Sequence, residues 1–212
     1  MKPALLCGWK HEEAARQQGA LHIAGVDEVG RGPLFGPVVA AAVILPKDCR
    51  LQDLNDSKKL SGKKRIALDV EIRTCAVAWA IAEVDAETID RINIRRASLL
   101  AMRRAVEQLS PAADSLLIDG RDTIDWPTPQ QAIIKGDATS VSIAAASILA
   151  KVYRDRLIVK FDEKYPGYGL AKHKGYPTAA HLEALRRLGP TPLHRKSFHP
   201  KALPTLFENA IS

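Results

Sequence analysis

Three β-rich segments near the N-terminal end, followed by helical and strand patterns in alternation, predict an α/β domain built on a mixed central sheet flanked by helices. Leu21 to Val26 and Val38 to Leu45 are dense in Val, Ile and Ala. The Gly/Pro-rich stretch Gly30 to Pro37 between them reads as the turn joining two adjacent strands. Cys75 to Val84 alternates Val77, Trp79 and Ile81 with small residues, the period of a third strand. Gly62 to Arg73 reads as a short helix. From Asp85 to Leu109, apolar residues recur at Ile89, Ile92, Leu99, Met102, Val106 and Leu109, the spacing of one amphipathic helix, which Ser110-Pro111 ends. Leu116 to Ile118 is a short buried strand stopped by the Asp119-Gly120 turn, and Gln131 to Ile134 is another. Ser140 to Tyr153 is a buried helix rich in Ala, Ile and Leu that emerges into water at Arg154-Asp155-Arg156. Ala179 to Leu188 adds a helix to a basic C-terminal region.

Composition excludes several classes. With 212 residues, 46% hydrophobic and 26% charged, the chain suits one folded domain with a substantial core. Its longest nearly uncharged runs fall short of the roughly 20 residues that a spanning helix needs, and the N-terminus lacks a signal-peptide pattern, so the expectation is a cytoplasmic protein without a membrane segment. Cys7, Cys49 and Cys75 are odd in number and widely spaced, which predicts reduced, structural thiols. There is no phosphate-binding loop and no serine-hydrolase elbow. Gly30-Arg31-Gly32 leads into a strand, where a dinucleotide fingerprint needs a helix. Residues 1–150 carry 19 basic and 19 acidic side chains, whereas residues 151–212 carry 12 and 5, with four of the six histidines. That segment reads either as a face for a polyanion or as an ordinary solvated surface.

Acidic residues stand at the ends of the apolar segments. Asp27 and Glu28 follow the first strand, Asp119 follows the short strand at Leu116, and Asp137 precedes the buried helix. Each has an ordinary alternative: loop charges for Asp27 and Glu28, a turn for Asp119, a helix cap for Asp137. Jointly they point elsewhere, because strands lie side by side and carboxylates at their ends converge on one edge. Clustered carboxylates repel one another unless a divalent cation compensates them, and an all-oxygen set favours Mg2+ or Mn2+ over zinc. Beside a basic region, the substrate this suggests is a phosphodiester.

The same residues carry a family resemblance. The runs Gly25 to Val39, Asp56-Ser57-Lys58-Lys59-Leu60, Ile118-Asp119-Gly120, Lys135-Gly136-Asp137 with Ser142 to Arg156, and Tyr165 to Gly169 with His173 to Thr178 resemble ribonuclease HII, the bacterial type 2 ribonuclease H, in order from about Leu21 to Pro200. Arg31 stands where the type III relative usually has Lys. The resemblance implies a ribonuclease H-like fold with a catalytic core over residues 1–160 and a basic helical extension over 161–212 packed on it as one unit. It implies cleavage of the RNA strand in RNA–DNA hybrids, including 5′ to single ribonucleotides in duplex DNA, leaving 5′-phosphate and 3′-hydroxyl ends, with Mg2+ or Mn2+. No segment reads as a dedicated interface, so the expectation is a monomer. Asp27, Glu28, Asp119 and Asp137 then become the catalytic metal-binding carboxylates. Gly30, Arg31 and Gly32 become the reader of the RNA-to-DNA junction together with Tyr176. Ser57 and Lys58 are phosphate contacts by position. Lys151, Arg154, Lys172, Lys174, Arg186 and Arg187 are expected to hold the DNA portion.

Overall fold

The apolar run Val38–Ile44 becomes strand β2, and every one of its residues is buried, because helices cover both faces of the sheet to which it belongs. The computed structural model describes residues 7–51, 54 and 60–198. β2 pairs antiparallel with β1 (Ile23–Val29) and with β3 (Ala78–Val84). β1 also pairs in parallel with β4 (Ser115–Asp119), and β4 in parallel with β5 (Gln130–Ile133). The sheet is therefore mixed, in the order β3-β2-β1-β4-β5. Leu21 is exposed and precedes β1, which starts at Ile23 and runs on through Asp27 and Glu28. These two acids lie within the strand rather than after it, since Ala41 and Ala40 of β2 supply their backbone partners.

Helix α1 (Lys10–Gln17) precedes the sheet and has no counterpart in the sequence reading. α2 (Gly62–Cys75) follows β2, capped by Ser61. The periodic stretch after β3 is two helices, α3 (Ala86–Ile92) and α4 (Ile94–Glu107), and not the single one expected. Asn93 separates them. Its φ of 68° lies outside helical space, while its side chain accepts a hydrogen bond from the Arg96 N–H (3.1 Å) and caps α4. A short 3-10 turn, Gly136–Ala138, leads to α5 (Val141–Lys164), then α6 (Leu170–His173) and α7 (Ala179–Leu188).

α3 and α4 pack their apolar residues on one face of the sheet, against Ala24, Val26, Ala40, Ala42 and Ala80. α2 and α5 cover the other face, against Val39, Ala41 and Val43. α5 lies so close to β1 that a Cβ at Gly25 would overlap the backbone of Ser142 and Ile143. Its first turn is fixed by α1: buried Glu12 accepts hydrogen bonds through Oε1 from the hydroxyls of Ser140 (2.6 Å) and Ser142 (2.6 Å) and from the Ser142 N–H (2.9 Å). At its far end α5 carries the chain without a break into the C-terminal region. There Leu34 and Phe35, from the loop after β1, pack with Ile158, Leu170, Ala184 and Leu185. The described cysteines are free thiols, and the Cys49 and Cys75 sulfurs share a hydrogen bond of 2.7 Å. No described helix is long and apolar enough to cross a membrane.

Candidate active site

Strand register assembles the acidic residues. β1 and β4 run parallel with Val26 opposite Ile118, so the next residues, Asp27 and Asp119, stand side by side at the same end of the sheet. Val26 and Ile118 both face α4, and strand alternation therefore turns both carboxylates towards α5. Asp137 arrives from the 3-10 turn after β5. It does not cap α5, a role Ser140 fills by accepting the Ile143 N–H (3.3 Å). Asp27, Glu28, Asp119 and Asp137 all line one cleft of about 340 Å3, with Ser147 and Lys151 of α5 on its wall.

Asp27 is only 5% exposed. Burial, and then the charges of Glu28 and Asp119, push its carboxyl well above the usual carboxylate range, while hydrogen bonds from Ser147 and the Glu28 N–H (2.7 Å) pull the other way. Burial raises Glu28 as well, opposed by Arg31, whose Nη1 pairs with Glu28 Oε1 at 3.1 Å. Asp119 Oδ1 accepts the Gly136 N–H (2.7 Å), which orients it. Among the described residues no three acidic, His or Cys groups close on one point as a preformed metal cage; the four carboxylates share a cleft instead. Their chemistry nonetheless fits a hard divalent cation. All are oxygen donors, no described His or Cys lines the cleft, and Asp27 sits under like-charge repulsion that a cation would relieve.

Gly30, Arg31, Gly32 and Tyr176 line the same cleft. Two arginines buried beneath it hold this loop. Arg154, on α5, donates to the carbonyls of Pro37 (3.1 Å), Phe35 (3.0 Å) and Lys174 (3.1 Å). Arg195 donates to those of Gly36 (2.9 Å), Arg31 (3.1 Å) and Gly30 (2.6 Å). Gly30, with φ of 93°, is a glycine because a Cβ there would strike the Arg154 side chain. Tyr176 is 41% exposed, and its ring stands 3.5 Å from where a Cβ of Gly32 would lie.

Other expected contacts fall elsewhere. Arg154 is 0% exposed and cannot touch DNA; it is a scaffold for the loop, which corrects the expectation from its sequence position. Lys174 does not line the carboxylate cleft but a neighbouring groove between α2 and α5, and its amine donates to the Ala171 carbonyl (2.6 Å). Lys172, Arg186 and Arg187 are exposed. Ser57 and Lys58 lie outside the described residues. Sequence reading missed Ser147, which gave no signal within an Ala-rich helix, and Arg195, whose role depends on carbonyls far away in the chain.

A mixed five-stranded sheet, helices on both faces and acidic groups at the end of its central strands define a ribonuclease H-like protein. The family model for Ribonuclease HII matches residues 24–201, and this chain belongs to that family. It is 60% identical over 185 residues to Ribonuclease HII of Myxococcus xanthus (strain DK1622), covering 87% of this chain and 63% of that protein. It is 56% identical over 189 residues to Ribonuclease HII of Enterococcus faecalis (strain ATCC 700802 / V583), covering 89% and 74%. The match thus spans less than two thirds of the Myxococcus relative. Among solved structures, the fold resembles ribonuclease H2 from Pyrococcus horikoshii OT3 with a TM-score of 0.75 at 26% identity, covering 89% of this chain and 99% of that one. It also resembles a chain of the PCNA:RNase HII complex from Archaeoglobus fulgidus with a TM-score of 0.70 at 28% identity, covering 82% and 94%.

Proposed function

We propose that this chain is a divalent-metal-dependent endoribonuclease that cuts the RNA strand of RNA–DNA hybrids and cuts 5′ to single ribonucleotides in duplex DNA, leaving 5′-phosphate and 3′-hydroxyl ends. One observation carries the reading: the four carboxylates line the same cleft as Gly30, Arg31, Gly32 and Tyr176, so metal-holding groups and sugar-reading groups face one substrate. Asp27, Glu28, Asp119 and Asp137 would hold Mg2+ or Mn2+. When bound, such ions supply an activated water and charge stabilisation at the departing 3′ oxygen.

The chain's own groups do the rest. Ser147 and the Gly136 N–H fix the Asp27 and Asp119 carboxylates before substrate arrives. Arg31, exposed and paired with Glu28 at 3.1 Å, is a charge partner for a substrate phosphate. Gly30 and Gly32 lack side chains that would hold a nucleotide away, which suits backbone contact with the 2′-hydroxyl that separates RNA from DNA. Tyr176 packs beside them against the sugar. Lys151, Lys172, Lys174, Arg186 and Arg187, with Ser57 and Lys58, contact phosphates. The working form is a cytoplasmic monomer, a reading that rests on the sequence alone.

The test is cleavage of a labelled duplex holding one ribonucleotide, with Mg2+, Mn2+ or EDTA, beside an all-DNA duplex and the Asp27→Asn protein. Metal-dependent cutting 5′ to the ribonucleotide is expected, and Asp27→Asn should lower the rate by at least about a thousandfold while remaining folded. Cutting of the all-DNA duplex would point instead to a different nuclease of the superfamily. A fully active Asp27→Asn protein would refute the site.

A further inference from the structure

We propose that His181, aligned by His194 and supported by His173, is a positioning residue that sets the Tyr176 backbone for junction reading; this rests on the role given to Tyr176 above. The Tyr176 segment has no regular secondary structure. It turns through two left-handed residues, Lys174 (φ 54°) and Gly175 (φ 82°), and its place is set by individual hydrogen bonds. Leu34 N–H donates to the Gly175 carbonyl (2.8 Å) and Tyr176 N–H to the His173 carbonyl (3.0 Å). Two further bonds come from imidazoles. Gly175 N–H donates to His173 Nδ1 (3.2 Å), and His181 Nδ1 lies 3.0 Å from the Tyr176 carbonyl.

The partners dictate where each ring carries its proton. Thr191 N–H donates to His194 Nδ1 (2.9 Å), so the His194 proton sits on Nε2. That nitrogen lies 3.1 Å from His181 Nε2, which must accept, leaving the His181 proton on Nδ1 to be donated to Tyr176. His173 accepts at Nδ1 and donates from Nε2 to the Tyr168 carbonyl (2.9 Å). All three rings are therefore neutral, and three bonds run in one direction from Thr191 through His194 and His181 to Tyr176. His181 and His194 are 0% and 1% exposed, and His173 stacks on His181 with ring centres 4.4 Å apart. Phe35, whose carbonyl is held by Arg154, packs edge-on against His194 at 4.9 Å, which ties the relay to the glycine-arginine-glycine loop. The same burial keeps His181 down at about 4 and His194 at about 3.

Two substitutions separate positioning from packing. His181→Asn keeps an N–H donor at the Nδ1 position, whereas His181→Gln keeps a polar group at the Nε2 position and leaves the Tyr176 carbonyl without its imidazole partner. His181→Gln should speed amide exchange over residues 175–178 and lower cleavage at a single ribonucleotide by about tenfold relative to a continuous RNA–DNA hybrid, the scale of one buried hydrogen bond. His181→Asn should stay within about twofold of wild type, and the His181→Gln loss should vanish in a Tyr176→Ala background. Equal behaviour of the Asn and Gln variants, or an unchanged loss in the Tyr176→Ala background, would overturn the proposal. A Tyr176→Ala enzyme with intact junction preference would instead overturn the reading of Tyr176, while the exchange rates still report whether His181 holds the segment. One measurement needs no variant: imidazole 15N shifts of the wild-type protein should show His181 as the Nδ1–H tautomer, and the Nε2–H tautomer would exclude the relay.

Discussion

Among the described residues Arg154 and Arg195 are buried cations without a carboxylate partner at hydrogen-bond distance; each is satisfied by three backbone carbonyls. Burial draws the Arg154 guanidinium down to about 10 and Arg195 to about 9, so both remain charged at neutral pH. Their value is positional, since the carbonyls they gather belong to the loop that lines the cleft. Arg154→Met fills much of the volume but orphans the Pro37, Phe35 and Lys174 carbonyls, and should cost on the order of 3 kcal/mol in urea unfolding. A loss under about 1 kcal/mol would mean that the loop is held by other contacts. The four acidic site residues were legible because motif and segment ends mark them in the chain. Arg154 was legible only as a cation, and its sequence position suggested a surface role, because nothing local shows that the carbonyl of Phe35, 119 residues away, accepts its hydrogen bond.

Elements were mostly legible through their periods. The strands, α2 and α7 occupy nearly the predicted segments, since alternation and continuous apolar runs are local properties, whereas α5 starts as expected but continues past Tyr153 to Lys164 with Arg154 buried instead of emerging into water. The break between α3 and α4 was not, because apolar spacing continues across Asn93 and only its positive φ interrupts the helix. α1 carries a charged face and a single buried acid, Glu12, whose partners Ser140 and Ser142 come about 130 residues later. The contact between α5 and β1 is equally invisible in the chain, yet it brings Ser147 to Asp27. Gly25→Ala would drive a Cβ into the backbone of Ser142 and Ile143, which cannot swing aside as a side chain does. It should destabilise the protein by at least about 3 kcal/mol. A variant melting within a few degrees of wild type would show that α5 can shift along the sheet without cost.

For the whole molecule, two buried groups of opposite tendency set the pH response. His181 and His194 fall from 6.5 in the unfolded chain to about 4 and about 3 when folded, first through burial; His173 lowers both and His181 lowers His194, with bonds to Tyr176, Gly175 and Thr191 opposing. Between those limits the unfolded chain binds more protons, so their contribution to stability is full above 6.5 and is lost as pH falls. Asp27 acts the other way: its raised folded value makes the site costly as pH rises and relieves it as pH falls. In an Asp27→Asn, Glu28→Gln protein, where this relief and that of the likewise raised Glu28 are gone, Tm should fall as pH is lowered from 7 to 4, and more steeply than in wild type. A flat or rising Tm would show that the histidines are not held neutral. In the basic C-terminal segment Arg154, Arg195, His181 and His194 lie inside, so the charge at its surface comes from the other cations. By itself the sequence determined the strands, the buried helix, the acidic quartet and the family, because periodicity and motif are written locally. Only the tertiary structure decided which cations and histidines go inside and what they hold. Burial depends on what packs around a residue, and Arg195 meets the Gly30 carbonyl across 165 positions of chain.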